Sequence, residues 1–331
     1  MPEIDTRWLR HGVAGGLVAA AAAFVCAAPA GAQEAEAGVV AEAEAEAGAQ
    51  GCALPPGGGC AVPGGRYHVL LPEGAGPFPV VLALHSSGQT GASLLEEPVY
   101  REVLQARGYA VIAPDGAPKR FADGSEAPGW YLRGTATAGR DEISFLEQVL
   151  NDAEAAFGID RARVVVTGYG LGAALALEIA CLSPETAGAY APRNGGFFAA
   201  LPEACAAPVR LIHLHAPVQG GWPLKEARTP EVDGAAAMMP VQGHMQLLAE
   251  AAGCGGTAPI EAGLPAGFQG VRWTDCADGA EIGLVAHDSR NRTTAAVMNL
   301  VLDWFDGAAG GAAAGPELAT TDETAAEDAT N

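Results

Sequence analysis

Basic residues are scarce in this chain of 331 residues: 18 lysines and arginines stand against 39 aspartates and glutamates, for a formal net charge of −21. An acidic surface repels phosphate, so nucleic acid is not an expected partner. Also missing are any C-x-x-C pair and any histidine–cysteine cluster with the spacing of a zinc site, so no metal is expected. No internal repeat is found, which argues against a solenoid or a propeller. Two segments lack bases altogether: residues 33–64 and residues 307–331 hold five acids each. Both are low in complexity and nearly free of aromatics, and such composition cannot offset the entropy of ordering a chain. They are read as an acidic Ala/Glu/Gly/Pro-rich linker and an acidic tail.

Setting aside the ten acids of these ends, and the two acids and two bases of residues 1–32, leaves 27 acids against 16 bases, a milder net charge of −11. With 49% hydrophobic residues overall, this central part is long enough to bury one sizeable core, and a single domain is expected over residues 65–306.

The N-terminus carries Arg7 and Arg10, then an uncharged Ala/Gly/Val run from Gly12 through Cys26, then Ala30-Gly31-Ala32 before Gln33. This is the order of a secretory signal peptide over residues 1–32, and it implies a secreted or periplasmic protein. The alternative is an uncleaved membrane anchor, because the run is nearly long enough to span a bilayer, though it is rich in weakly hydrophobic Ala and Gly. Removing Cys26 with the leader leaves six cysteines, an even number suited to disulfides in an exported chain. Six allow fifteen pairings, and they fall into three sequence-local couples, Cys52 with Cys60, Cys181 with Cys205 and Cys254 with Cys276. Buried free thiols are the alternative.

Apolar runs at 67–71, 80–84, 109–113, 164–167, 209–215 and 281–286 read as strands. Segments 94–106, 141–157, 171–182 and 293–305 read as helices. Continuous apolar strands alternating with helices indicate an α/β fold, a mostly parallel sheet covered on both faces. In such sheets chemistry sits beyond the strand C-termini.

The strand-to-helix turn at 164–182 reads VVVTGYGLGAALALEIACL, with Gly168, Gly170 and Gly172 at the spacing of a nucleophile elbow, G-x-S-x-G. In that motif flanking glycines permit a sharp turn that presents a serine hydroxyl beside the next residue's backbone N–H, here Leu171. The central residue is Gly170, which has no side chain. An ordinary glycine-rich turn is the competing reading. A dinucleotide fingerprint fits poorly, since Ala173 stands where G-x-G-x-x-G needs its last glycine.

The flanks add HSSGQTGASL at 85–94, APDG at 113–116, Gly129-Trp130, DEISFLEQVLNDAEAAFGIDRARVVVTGYGLG at 141–172, IACLSP at 179–184 and Gly253-Cys254. With these the chain resembles secreted polyhydroxybutyrate-depolymerase and feruloyl-esterase-like α/β-hydrolases from about Gly65 to Phe305. The resemblance implies an α/β-hydrolase fold and serine ester chemistry with no cofactor. It places an oxyanion loop, H-G-x-G-Q-T in the relatives, at His85-Ser86-Ser87-Gly88-Gln89-Thr90. Ser86 replaces a glycine there, which would strain or reshape the loop if the position needs φ > 0.

The same resemblance puts Gln219 where the family's aspartate stands and offers only His287 for its histidine. Glutamine cannot supply the charge that stabilises an imidazolium. His287 reads more readily as an ordinary loop histidine than as the base, and His213 and His215 as satisfied core or loop residues. Asp141-Glu142 matches a family acidic pair, although acids are favoured at a helix N-terminus anyway.

Three altered positions beside intact strands argue for a degenerate catalytic site with vestigial positions Gly170, Gln219 and His287. Such a protein would be an exported binding or scaffold module for an ester, polyester or glycan-linked ligand, with Trp130 and Trp222 as candidate cleft walls, although either tryptophan reads equally well as a core residue. The rival expectation is an active ester hydrolase with displaced groups, for which Ser86 or Ser87 would supply the hydroxyl.

Overall fold

A computed structural model describes residues 59–120, 124–135, 139–216, 221–228, 236–260, 263–288 and 294–309. The expected leader, most of the linker including Cys52, the acidic tail from residue 310, and Gln219 lie outside the described residues.

Twelve strands are described: β1 (Cys60–Val62), β2 (Gly65–Leu70), β3 (Phe78–Leu84), β4 (Ala110–Pro114), β5 (Ala117–Arg120), β6 (Glu126–Gly129), β7 (Ile159–Tyr169), β8 (Ala189–Arg193), β9 (Arg210–His215), β10 (Gly256–Pro259), β11 (Phe268–Thr274) and β12 (Glu281–His287). Ten of them form one sheet in the order β1-β2-β4-β3-β7-β8-β9-β12-β11-β10, while β5 and β6 make a separate hairpin. The central run β4-β3-β7-β8-β9-β12 is parallel throughout, and both flanks are antiparallel.

The central strands are apolar along their whole length because both of their faces are covered. One face packs on helices α2 (Glu142–Phe157), α3 (Leu171–Leu182) and α4 (Val241–Ala251), through side chains such as Leu146, Leu177 and Met245. The other packs on α1 (Gly91–Leu95), a π-helical turn (Tyr100–Gln105) and α5 (Ala295–Ala309), through Leu94, Leu104 and Val301. This is the α/β-hydrolase arrangement that the sequence resemblance implies.

Several elements depart from expectation. The helix expected over 94–106 is divided, because Pro98 interrupts it and leaves α1 and the π turn on either side. Strand β8 contains Pro192, which argues against a central strand on sequence alone, yet it pairs with β7 and β9. The sheet begins at Cys60, before the expected boundary at residue 65, and the last helix runs on to Ala309.

Two expected disulfides are present, Cys181–Cys205 and Cys254–Cys276. Cys60 is also disulfide-bonded, and its expected partner Cys52 lies outside the described residues. The Cys181–Cys205 bond ties the end of α3 to the segment entering β9 across 24 residues of sequence. Closing a loop of that length in the unfolded chain stabilises the folded state by about 3 kcal/mol. A Cys181→Ala/Cys205→Ala double variant is therefore expected to lose about that much in urea unfolding, and a loss below ~1 kcal/mol would contradict the assignment.

Candidate functional site

The turn between β7 and α3 stands at the C-terminal edge of the parallel sheet, the edge at which open α/β folds carry their chemistry. Gly170 adopts φ 58° and ψ −115°, a conformation that only glycine enters without strain. Its N–H donates to the Arg193 carbonyl oxygen at 3.2 Å, and its own carbonyl accepts from Ala174 N–H at 3.0 Å. Leu171 is the first residue of α3, so its N–H is among the four that a helix's first turn leaves without an intrahelical acceptor.

The three glycines of the turn serve different needs. A Cβ on Gly172 would stand 2.1 Å from the Leu84 carbonyl oxygen, and one on Gly168 would stand 2.4 Å from the Gly172 carbonyl carbon. Both are required by close backbone packing. A Cβ on Gly170 would meet only Ser86, at 2.8 Å from Oγ and 3.8 Å from Cβ. The central position thus has room for a side chain, and the Ser86 hydroxyl is what stands at its mouth.

Ser86 opens the loop after β3. Gln89 holds this loop from both sides, its Oε1 accepting from Ser86 N–H at 3.1 Å and its own N–H donating to the Ser86 carbonyl at 3.2 Å. His85 anchors the loop with both ring nitrogens. Nδ1 donates to the Ser86 carbonyl oxygen at 2.7 Å, and Nε2 accepts from Gly116 N–H at 2.7 Å. One neutral tautomer satisfies both bonds, and burial lowers the His85 pKa in the same sense. Ser86 is not among the residues with positive φ, so the strain expected from replacing glycine there does not arise. Ser87 is exposed.

Of the two readings open for Trp130 and Trp222, cleft wall or core, their burial favours core. Trp130 is fully buried, its Nε1 donating to the His85 carbonyl at 2.8 Å and its ring lying 4.7 Å from the His85 ring. Trp222 is 6% exposed, donates to the Met239 carbonyl at 3.0 Å and meets Phe198 edge to face. Indoles with so little free surface offer nothing to a ligand. The Trp130 loop is held by buried polar groups. Glu178 accepts from Arg133 N–H at 2.8 Å, Glu142 accepts from Tyr131 N–H and pairs with Arg140, and Lys119 donates to the Trp130 carbonyl. Burial raises the Glu178 pKa to about 7. The acidic pair noted in the sequence is structural: Asp141 caps α2, and Glu142 supports this loop.

His287 ends β12, as expected, and stacks on Phe268 with centroids 5.0 Å apart. Its Nδ1 is buried and has no hydrogen-bond partner among the described residues. Burial lowers its pKa, with Asp288 pulling it up and the Arg193 guanidinium pushing it down. Arg193 is a site residue that the sequence reading passed over. It is 3% exposed at the end of β8, and its Nε donates to Thr167 Oγ1 at 3.2 Å. An arginine closing an otherwise apolar strand was the available signal. Asn194 follows with φ 52°, accepts from Ala216 N–H, and donates to the Tyr169 hydroxyl at 3.4 Å, joining the ends of β7, β8 and β9. Among the described residues, no serine or threonine hydroxyl is hydrogen-bonded to an imidazole, and no cluster of His, Cys, Asp and Glu is arranged to hold a metal.

No protein-family model matches the chain. Over 118 residues it is 28% identical to poly(3-hydroxyalkanoate) depolymerase C of Paucimonas lemoignei, a stretch amounting to 36% of this chain and 28% of that protein. Part of the chain is thus similar to a polyhydroxyalkanoate depolymerase, and its sheet and helices have the α/β-hydrolase arrangement. It spans little more than a quarter of the length of the curated relative it matches. Solved structures similar to it include an acetyl xylan esterase from Aspergillus awamori (14% identity, TM-score 0.49, covering 73% of this chain and 94% of that one). They also include a Bacillus cereus carboxylesterase (15% identity, TM-score 0.46, covering 74% and 95%).

Three further histidines lie below the sheet edge, and two of them, His213 and His215, read from sequence as satisfied core or loop residues, are buried with ring nitrogens that have no partner among the described residues. His213 and His215 alternate along β9, 6.1 Å apart, and His244 reaches toward them from α4. Among the described residues, neither nitrogen of His213 has a partner, nor does Nδ1 of His215 or His244. Nε2 of His244 lies between Phe197 N–H at 3.2 Å and the Met239 carbonyl at 3.0 Å, and its tautomer decides which bond forms. Burial drives the pKa of His213 well below the usual histidine value, that of His215 down to about 4 and that of His244 down to about 3. All three are neutral in the folded protein.

The sign of the pH dependence follows from these depressed values. The unfolded chain takes up protons near pH 6.5 and the folded chain does not, so the stability they contribute is present above that pH and is lost as pH falls toward 4. Each imidazole contributes a slope of up to about 1.4 kcal/mol per pH unit in that window. Thermal unfolding of the full chain is expected to shift to lower temperature from pH 7 to pH 5, and a flat profile there would contradict burial of neutral imidazoles. The turn itself is expected to tolerate Gly170→Ala at about 1–3 kcal/mol of backbone strain, whereas Gly172→Ala, which collides with Leu84, is expected not to fold. Equal losses in denaturant unfolding would contradict the roles given to these glycines.

Proposed function

We propose that this chain is an exported esterase-like α/β-hydrolase homologue that has given up hydrolysis and uses its fold as a binding or scaffold module. The observation that carries this reading is Gly170: the elbow-like backbone, with φ 58° and ψ −115°, is kept, its flanking glycines are packed as the turn requires, and no side chain stands at its apex. An acyl-transfer triad acts as a unit, in which the hydroxyl needs its base and the base needs its acid. Here His287 is stacked on Phe268 with a buried guanidinium nearby, a setting that disfavours the imidazolium such a reaction forms. Gln219, in the acid's expected place, carries no charge. The two disulfides and the bonded Cys60 support an oxidising compartment, secreted or periplasmic. Among the described residues no helix is long and apolar enough to cross a membrane. The ligand class this reading favours is an ester, polyester or glycan-linked small molecule held at the sheet edge.

The rival reading, an active hydrolase with displaced groups, draws on one observation: the Ser86 hydroxyl stands 2.8 Å from where a Cβ at position 170 would be. Ser86 nevertheless has no imidazole within hydrogen-bond reach among the described residues, and a hydroxyl without a base is a weak nucleophile. The purified full chain, assayed against p-nitrophenyl acetate and butyrate, is expected to show no turnover above background. Gly170→Ser alone is expected not to restore it. Turnover that disappears in Ser86→Ala would overturn the proposal, and a burst of acyl-enzyme in Gly170→Ser would show that base and acid are still in place.

A further inference from the structure

A groove of about 600 Å³ lies far from the elbow. It is lined by the opening residues of β12, Glu281–Gly283, whereas the elbow follows the closing residue of β7, and these strands run in the same direction within the sheet. The two features therefore stand at opposite ends of the molecule. The floor of the groove is one cross-strand row, in which Ala258 of β10, Arg272 of β11, Gly283 of β12 and Ile212 of β9 are successive partners. Two small residues flank Arg272 in that row, which gives the groove its depth. Ile260 and Leu264 form one wall, and Leu300 and Trp304 of α5 form the other. The volume falls within the range of small-molecule sites.

The charges around the groove are unevenly matched. Asp303 is paired with Arg107 at 2.6 Å, and Glu281 lies 3.5 Å from Arg210 and accepts from Trp304 Nε1 at 2.7 Å. Arg272 makes no ion pair and no hydrogen bond through its side chain among the described residues. A free guanidinium set in an apolar trough complements an anion with an apolar body, because it offers a planar fork to two oxygens of one group. The carboxylates of Asp303 and Glu281 beside it disfavour a dianion and so select against phosphate esters.

We propose that this groove is a binding site for an amphipathic monocarboxylate of the medium-chain fatty-acid type, with the carboxylate on Arg272 and the chain lying between Ile260 and Trp304. This assignment makes no use of the elbow, and it stands or falls independently of whether the chain hydrolyses esters.

Isothermal titration of the full chain with decanoate, and in parallel with decan-1-ol, tests it. Decanoate is expected to bind saturably at one site, and Arg272→Met is expected to weaken it about tenfold, the loss of one charge-assisted interaction, while leaving decan-1-ol unchanged. Gly283→Leu is expected to weaken both ligands by filling the floor. A Cβ there meets Ile212 Cγ1 at an ordinary 3.5 Å, so the change does not force the backbone to move. If Gly283→Leu does not fold, the exposed Arg272→Met variant still decides. Saturable decanoate binding that Arg272→Met leaves unaltered, or no saturable binding up to millimolar decanoate, would overturn the proposal.

Discussion

With a Cβ on Gly172 only 2.1 Å from the Leu84 carbonyl oxygen, α3 crosses the end of β3 at a distance that no other residue at this position permits. That approach sets the turn between β7 and α3, and the turn sets much else. It brings Gly170 against the loop carrying Ser86, ties the Gly170 N–H to the end of β8, and leaves the first N–H groups of α3 pointing beyond the sheet. The surrounding parts reinforce it: His85 spends both ring nitrogens on the loop after β3, and Trp130 packs on that imidazole from behind. The backbone frame of this turn and the loop beside it is therefore held firmly, by buried side chains and close backbone packing.

Against that frame, the differences from a working site are small in volume and large in chemistry. Under the proposed loss of hydrolysis, the hydroxyl nearest the turn is that of Ser86, which comes from a loop residue without positive φ, while the apex of the turn is Gly170. The imidazole at the end of β12 is stacked and buried beside a guanidinium. Packing density hardly changes under such substitutions, so the fold tolerates them. Acyl transfer does not, because its rate depends on charge placed within a hydrogen bond's length. On the proposed reading, this asymmetry is how a chain would keep the α/β-hydrolase architecture while parting from ester hydrolysis.

Much of this architecture was legible in the sequence, because the central strands are covered on both faces and read as unbroken apolar runs: Val80–Leu84, Val164–Thr167 and Leu211–His215 all fall within observed strands. The three glycines marked the elbow, and the local cysteine couples marked two observed disulfides. The antiparallel flank was not legible. Strands β10 and β11 are half exposed and carry Gly, Pro and Arg among their apolar residues, so neither strict alternation nor a continuous run announces them. Pro192 concealed β8 for the same kind of reason. Within the site, sequence left the two indoles open as cleft walls or core, and burial makes them supports, a choice that only packing decides. It also passed over Arg193 and Asn194, whose importance comes from three strand ends meeting, a relation that exists only in the fold.

The central claim is that no hydroxyl of this protein is activated for attack on an acyl carbon. A fluorophosphonate, which forms a covalent adduct with activated serines and ignores ordinary ones, tests this most directly when the labelled full chain is weighed intact. The account predicts an unmodified mass after prolonged exposure, while a single stoichiometric adduct mapping to Ser86 or Ser87 would contradict it.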